Sequence, residues 1–253
     1  MRKKPWPRPE IGVSVRALDR ILLTLQKWKE GQEEPVVGRI KEETPDPFAI
    51  LVGTILSLRT RDIVTEKAFH RLWNLARTPR ALADLSTEQM EEAIRTVGFY
   101  RQKAKSIRAV SEILEGDYGG QVPADLDALL ALPGVGRKTA NLVLTEAFGK
   151  SGICVDTHVH RILHWWGFVQ TPEPEDTEQV LREILPPRWW IPINGILVTF
   201  GQRVCRPVGP RCGECPVYAP CPYPGKKNFA ADGCKGGVKK KGRRKVLAAN
   251  ERE

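Results

Sequence analysis

The thirteen residues LPGVGRKTANLVL, Leu132 to Leu144, decide how the rest of the chain is read. Pro133 stops one helix, and Gly134 and Gly136 flank Val135 in a tight turn. Glycine reaches positive φ without strain and lets backbone amides approach a ligand closely. A new helix opens at Arg137. Its first amides lack intrahelical acceptors, which makes an anion site suited to a DNA phosphate. Gly134, Val135, Gly136 and Arg137 are therefore candidate DNA-binding residues. A plain helix–turn–helix connection accounts for the two glycines equally well, and the Gly-x-Gly pair alone favours it. In the helix that follows, Ala140, Val143, Leu144 and Ala147 form an apolar face at i, i+3, i+4, i+7. Lys138 lies off that face. Most such lysines are solvated, but a helix N-terminus and neighbouring cations lower an amine's pKa and turn it into a nucleophile.

Outward from this turn the same helical spacing recurs, with no sustained period-two alternation. Leu18, Ile21, Leu22 and Leu25 predict a first helix. Phe48 to Leu56 predicts a second, opened by Pro45-Asp46-Pro47. Ile63–Trp73, Thr87–Val97, Lys103–Leu114, Asp125–Leu132 and Arg137–Phe148 follow, punctuated by turn signals at Thr78-Pro79, Gly98 and Gly149. Val159–Trp166, Thr177–Leu185 and Ile191–Gly201 complete an all-α pattern with short connections.

Composition is that of a water-soluble protein: 41% hydrophobic, 28% charged, with no apolar stretch long enough to span a bilayer. The basic, Pro-rich N-terminus has no apolar segment behind it, so a cytoplasmic, nucleoid-associated protein is expected. Of the net charge of +10, residues 225–253 carry +7. That stretch lacks an apolar period and reads as a disordered tail, either a phosphate-binding arm or a solubilising extension. The function of the first thirty or so residues, with Trp6 between prolines, is not legible.

Two further constellations carry chemistry. Val155-Asp156-Thr157-His158 stands just before a helical run, where Asp156 is a preferred N-cap; it can also be a carboxylate that stabilises a cationic sugar, and a cap orients it for that. Cys205-x6-Cys212-x2-Cys215-x5-Cys221 puts four thiols into seventeen residues, a metal pattern rather than a disulfide framework. Zinc accepts four thiolates, but its sites usually pair two short knuckles and only one is present; four clustered thiolates also suit a [4Fe–4S] cluster. Cys154 and Cys234 stand outside the set as free thiols. Arg203, Arg206 and Arg211 punctuate the same loop. Any one of them is ordinary surface charge; three in nine residues favour phosphate binding.

The wording LPGVGRKTANLVLTEAFG, followed by VDTHVHRI and the four-cysteine spacing, resembles the endonuclease III family of helix-hairpin-helix DNA glycosylases, from about Pro47 to Cys221. The resemblance implies a base-excision repair DNA glycosylase and abasic-site lyase acting on double-stranded DNA with a damaged base, an oxidised pyrimidine for choice. Lys138 would be the amine that attacks C1′ and forms a Schiff base, Asp156 the essential carboxylate. Cys205, Cys212, Cys215 and Cys221 would hold a [4Fe–4S] cluster, and the three loop arginines would touch phosphates. The family's gap-filling loops correspond to Ser57–Asp62 and Val97–Tyr100. Arg59 stands where glutamine is common, and Phe99 where leucine is. No role is assigned to Tyr100, and His158 and His160 read as structural as readily as functional.

The fold implied has two lobes. A six-helix barrel over 45–150 would carry the hairpin. A cluster lobe over 151–224 would be joined by an N-terminal segment, 1–44, packing on it, with 225–253 as tail. The expected state is a monomer with no membrane association. Two rival readings are a mismatch- or uracil-type glycosylase with weak lyase activity, and a non-catalytic iron–sulfur protein that only binds damage. Deleting 225–253 should weaken DNA affinity at low salt and flatten its salt dependence, by up to about 0.9 log unit of slope for each phosphate no longer neutralised, while turnover survives. An unchanged salt slope would identify the tail as a solubiliser.

Overall fold

The computed structural model describes residues 12–230, so Trp6, Cys234 and the basic residues beyond 230 lie outside the described residues. Among the described residues there is no strand. In chain order the helices are α1 (Val15–Lys29), α2 (Val36–Glu43), α3 (Pro47–Ser57), α4 (Asp62–Leu75), α5 (Pro79–Ala83), α6 (Thr87–Ile94), α7 (Tyr100–Asp117), α8 (Leu126–Leu130), α9 (Arg137–Phe148), α10 (Thr157–Trp165), α11 (Pro174–Ile184), α12 (Pro192–Arg203) and α13 (Lys226–Ala230). Short 3-10 turns occupy Pro187–Trp189 and Cys212–Glu214. No described helix is long and apolar enough to cross a membrane.

The helices bury two separate cores. Residues of α2 to α9 make the first. Its axis is α3, buried from Phe48 to Leu56 and therefore apolar on all sides. Asp46 starts this helix by accepting a hydrogen bond from Phe48 N (3.0 Å), with Pro47 in the first turn, where no amide is needed. The second core joins α1 to α10, α11 and α12. Leu18, Ile21, Leu22 and Leu25 of α1 are all fully buried in it, as the spacing predicts. From α1 onward the chain thus starts in one lobe, builds the other, and returns. It returns through Ile153-Cys154-Val155, whose side chains alternate: Cys154 enters the first core, Ile153 and Val155 the second.

Several boundaries differ from the sequence expectation. The segment 1–44 is expected to pack on the cluster lobe; α1 does, but Val36, Val37 and Ile40 of α2 are buried in the first core against α3. Eight residues with a glycine at 38 show too short an apolar period to announce this helix. Between 45 and 150 lie seven helices rather than six, because Thr78-Pro79, a turn signal in the sequence, is an N-cap and first helical residue: Thr78 Oγ1 accepts from Ala81 N (3.2 Å). The start of α11 is Pro174 rather than Thr177, set by a reciprocal cap between Glu173 and Asp176. The tail does not begin at 225. Lys226 to Ala230 are helical, and Lys226 Nζ donates to the carbonyls of Tyr218 (2.9 Å) and Cys221 (2.5 Å). A truncation meant to remove only free charge therefore starts after 230; residues 231–253 still carry +5.

Candidate active site

A cleft runs between the two cores, and both predicted reactive groups line it. Lys138 comes from the first turn of α9, in one lobe, and Asp156 from the N-cap of α10, in the other. Asp156 is the cap its position predicts. Its Oδ1 accepts from His158 N (2.8 Å) and Val159 N (2.9 Å), which fixes the carboxylate's orientation. Two positions on, His158 is half-buried, and burial holds its imidazole below the ordinary value against the pull of Asp156. Behind it lies Arg161, a buried cation that donates to Cys205 O (2.6 Å) and sits 5.3 Å from the Trp165 ring centre. A continuous chain of neighbours therefore leads from the cleft to the first cysteine of the loop.

The hairpin takes the shape its glycines suggest. Gly134 has φ +80 and a Cβ there would lie 2.6 Å from Ser106 Oγ, so no larger residue fits. Gly136 caps α9 without any side-chain hydrogen bond, which leaves the first amides of the helix open to an anion. The other two hairpin candidates are not available in the way their residue types suggest. Val135 is buried in the first core, so only its backbone is offered. Arg137 turns away: Nε and Nη2 donate to the two Glu178 oxygens (2.6 and 3.3 Å). Glu178 is 3% exposed and also accepts from Arg182 Nε (2.8 Å). Arg182 Nη2 lies 3.4 Å from Asn141 Oδ1, and Asn141 Nδ2 donates to Arg137 O (3.1 Å). The network belongs to α9 and α11, one from each lobe.

The two loops predicted to fill a gap in DNA meet on the first-core side of the cleft. Arg59 and Phe99 are the non-glycine residues of left-handed backbone among the described residues, at φ +53 and +58. Phe99 is 65% exposed, and Arg59 Cζ lies 5.5 Å from its ring centre. Gly98 permits the approach, since a Cβ there would lie 3.0 Å from Arg59 O. Tyr100, to which the sequence assigns no role, packs on the first core. One cleft residue escapes sequence reasoning. Lys103 is 6% exposed, lines the cleft, and donates to Leu56 O (2.8 Å), Leu58 O (2.5 Å) and Thr60 Oγ1 (3.0 Å). Burial lowers its ammonium to about 8. A signal for it exists: Lys103 occupies an apolar position in a run continued by Ile107, Val110 and Leu114.

The cysteine loop follows α12. Cys205, Cys212, Cys215 and Cys221 line one pocket closed by Trp165, Trp166 and Phe200. Among the described residues no three of these cysteines form a group as tight as a single-ion site requires. Burial pushes all four thiols up, Cys215 to about 11, so only bound metal would keep them as thiolates at neutral pH. Of the three arginines, Arg203 ends α12 and pairs with Glu33 (3.2 Å), Arg211 lies 3.7 Å from Glu214, and Arg206 Nε donates to Gln202 O (3.2 Å), each contact being open to solvent.

Comparison with known proteins places this geometry. Residues 52–187 match the model of the HhH-GPD superfamily base excision DNA repair proteins. The chain is 50% identical over 178 residues to endonuclease III of Thermotoga maritima, covering 70% of this chain and 84% of that protein. It resembles a solved non-covalent endonuclease III–DNA complex with a TM-score of 0.77 at 33% identity, over 85% of this chain and 98% of the other. A trapped covalent endonuclease III–DNA intermediate, an estranged-adenine complex, matches with a TM-score of 0.75 at 32% identity, over 85% and 99%.

Glu178→Ala should act in two opposite directions. Losing the buried carboxylate should destabilise the fold by about 1–3 kcal/mol, read as a lower Tm. It should also release Arg137 beside the hairpin and raise non-specific affinity for undamaged duplex at low salt. Unchanged stability together with unchanged affinity would show that the Arg137–Glu178 pair holds nothing in place.

Proposed function

The chain belongs to the endonuclease III family of the HhH-GPD superfamily, base-excision glycosylase/lyases acting on damaged pyrimidines, and from that premise we propose that Lys138 and Asp156 carry the reaction on double-stranded DNA. The observation that supports this most directly is that the two line one cleft although they come from different lobes. A base stacked in a duplex is out of reach, so the damaged nucleotide is first turned out of the helix. The free first-turn amides of α9 hold a backbone phosphate beside the opening. Arg59 and Phe99 enter the space left in the stack. The Lys138 amine, once it has given up a proton, attacks C1′ as the base departs with the bonding electrons and takes up a proton. Asp156, held in place by the amides of His158 and Val159, stabilises the positive charge that develops on the sugar. The adduct opens to a protonated imine, which acidifies the C2′ proton, and loss of that proton expels the 3′ phosphate. One chain supplies both reactive groups, which supports a monomer.

Cys205, Cys212, Cys215 and Cys221 would hold a [4Fe–4S] cluster, whose contribution is to tie the loop after α12 to the second core. Their shared pocket and their spacing along the sequence, with one short knuckle rather than two, support that assignment over zinc. With Arg137 held to the buried Glu178, phosphate binding at the hairpin falls to backbone amides, while Arg203 and Arg211, in exposed ion pairs, stay within reach of a phosphate.

Two measurements check this function. Borohydride should trap a covalent complex with an abasic-site duplex, and Lys138→Gln should abolish trapping while leaving duplex affinity largely intact. Undiminished trapping in that variant would remove Lys138 from its role, and an absence of incision by the unmodified protein would favour the non-catalytic, damage-binding alternative. Protein purified without oxygen should be yellow-brown and contain iron and sulfide. Stoichiometric zinc with no iron would overturn the cluster assignment.

A further inference from the structure

The strongest unassigned interaction in the cleft belongs to Lys103. Its Nζ meets Leu56 O and Leu58 O at the C-terminal end of α3, where helix carbonyls have no intrahelical donor, and Thr60 Oγ1 beyond them. Three ammonium protons face three oxygens, so the amine offers no lone pair for attack and is not a second nucleophile. Thr60 Oγ1 also accepts from Gly98 N (3.1 Å) and lies 3.3 Å from Leu58 O, to which its hydroxyl proton can be donated. This one hydroxyl therefore joins the loop carrying Arg59 to the loop carrying Phe99. Both of those residues are held in left-handed backbone, a conformation that persists only where surroundings impose it. Lys103 and Thr60 hydrogen-bond to the two loops that carry it.

We propose that Lys103, bridged by Thr60, is the positioning residue that sets Arg59 and Phe99 as a single wedge, so that extraction of a damaged base depends on it far more than lyase chemistry at an abasic site does. This rests on the glycosylase reading above. Neither Lys103 nor Thr60 needs to touch DNA; each acts through the two loops.

Single-turnover rates on duplexes carrying either an oxidised pyrimidine or a pre-formed abasic site test it. Thr60→Val keeps the shape of a half-exposed side chain and should slow excision roughly 3- to 10-fold, because the three hydrogen bonds of its hydroxyl are lost. Lys103→Met should slow excision roughly tenfold or more, and abasic-site cleavage should change much less in both. Thr60→Ser, which restores the acceptor, should return excision to the wild-type rate. In a Phe99→Ala background, Thr60→Val should add no further loss of excision, as expected for residues acting through one element. A fluorescent base analogue beside the lesion should report less unstacking on binding by Thr60→Val. If Lys103→Met does not fold, Thr60→Val and Thr60→Ser decide alone. Equal slowing of excision and abasic cleavage, no slowing at all, or full additivity with Phe99→Ala overturns the proposal. Failure of the wild-type protein to act on either duplex would instead overturn the glycosylase reading.

Discussion

A carboxylate taken out of water must be met by positive charge or hydrogen-bond donors, because unpaired it is costly to bury. Glu178 is such a group, and the chain meets it with Arg137 from the other lobe and Arg182 from its own helix. The geometry of the cleft follows from this. Arg137 is the residue immediately before Lys138, so the guanidinium that satisfies Glu178 also fixes the rotation of the first turn of α9. That rotation sends the Arg137 side chain toward α11 and leaves Lys138 to the cleft. Asp156 and its amides do the equivalent on the opposite wall. Neither wall carries the site alone, and the two cores are useful only when held at one separation.

Most of the architecture was legible because it rests on local rules. The four leucine and isoleucine positions of α1, the Asp46-Pro47 start of α3, the Asp156 cap and the Gly149 stop each depend on residues within a turn of one another. The parts that were not legible depend on partners distant in sequence. Nothing near Val36 says that α2 leaves the N-terminal segment to pack on α3. Nothing in the cysteine loop says that Arg203 meets Glu33, 170 residues away. The same holds for Arg137, whose basic character beside a phosphate-binding turn suggested DNA; its carboxylate partner lies 41 positions on. Charge type can be read from a sequence. Whether a charge is free cannot be read until the fold has chosen its neighbours.

The proposed reactive pair and the cysteine set are the opposite case. Residue type together with the family resemblance singled them out: an amine at a helix start, a carboxylate at a cap, four thiols in one short loop. Lys103 falls between. Its place in an apolar run marks it as unusual, but its role appears only when the carbonyls of α3 and the hydroxyl of Thr60 are brought to it. The left-handed φ values of Arg59 and Phe99 were likewise invisible, since neither residue type advertises that conformation.

The return crossing at Ile153-Cys154-Val155 has a consequence for how this chain can be recombined. Side chains there alternate between two cores with a period of two, so adding or deleting one residue would exchange the faces, driving Cys154 toward one interior and its neighbours toward the other. The same slip would rotate Asp156 off the amides of α10. The lobes are therefore not interchangeable cassettes joined by a passive connector. A chimera that takes its two halves from different relatives must keep this junction in frame to the residue, or cut the chain at some other point, where the backbone faces only one interior.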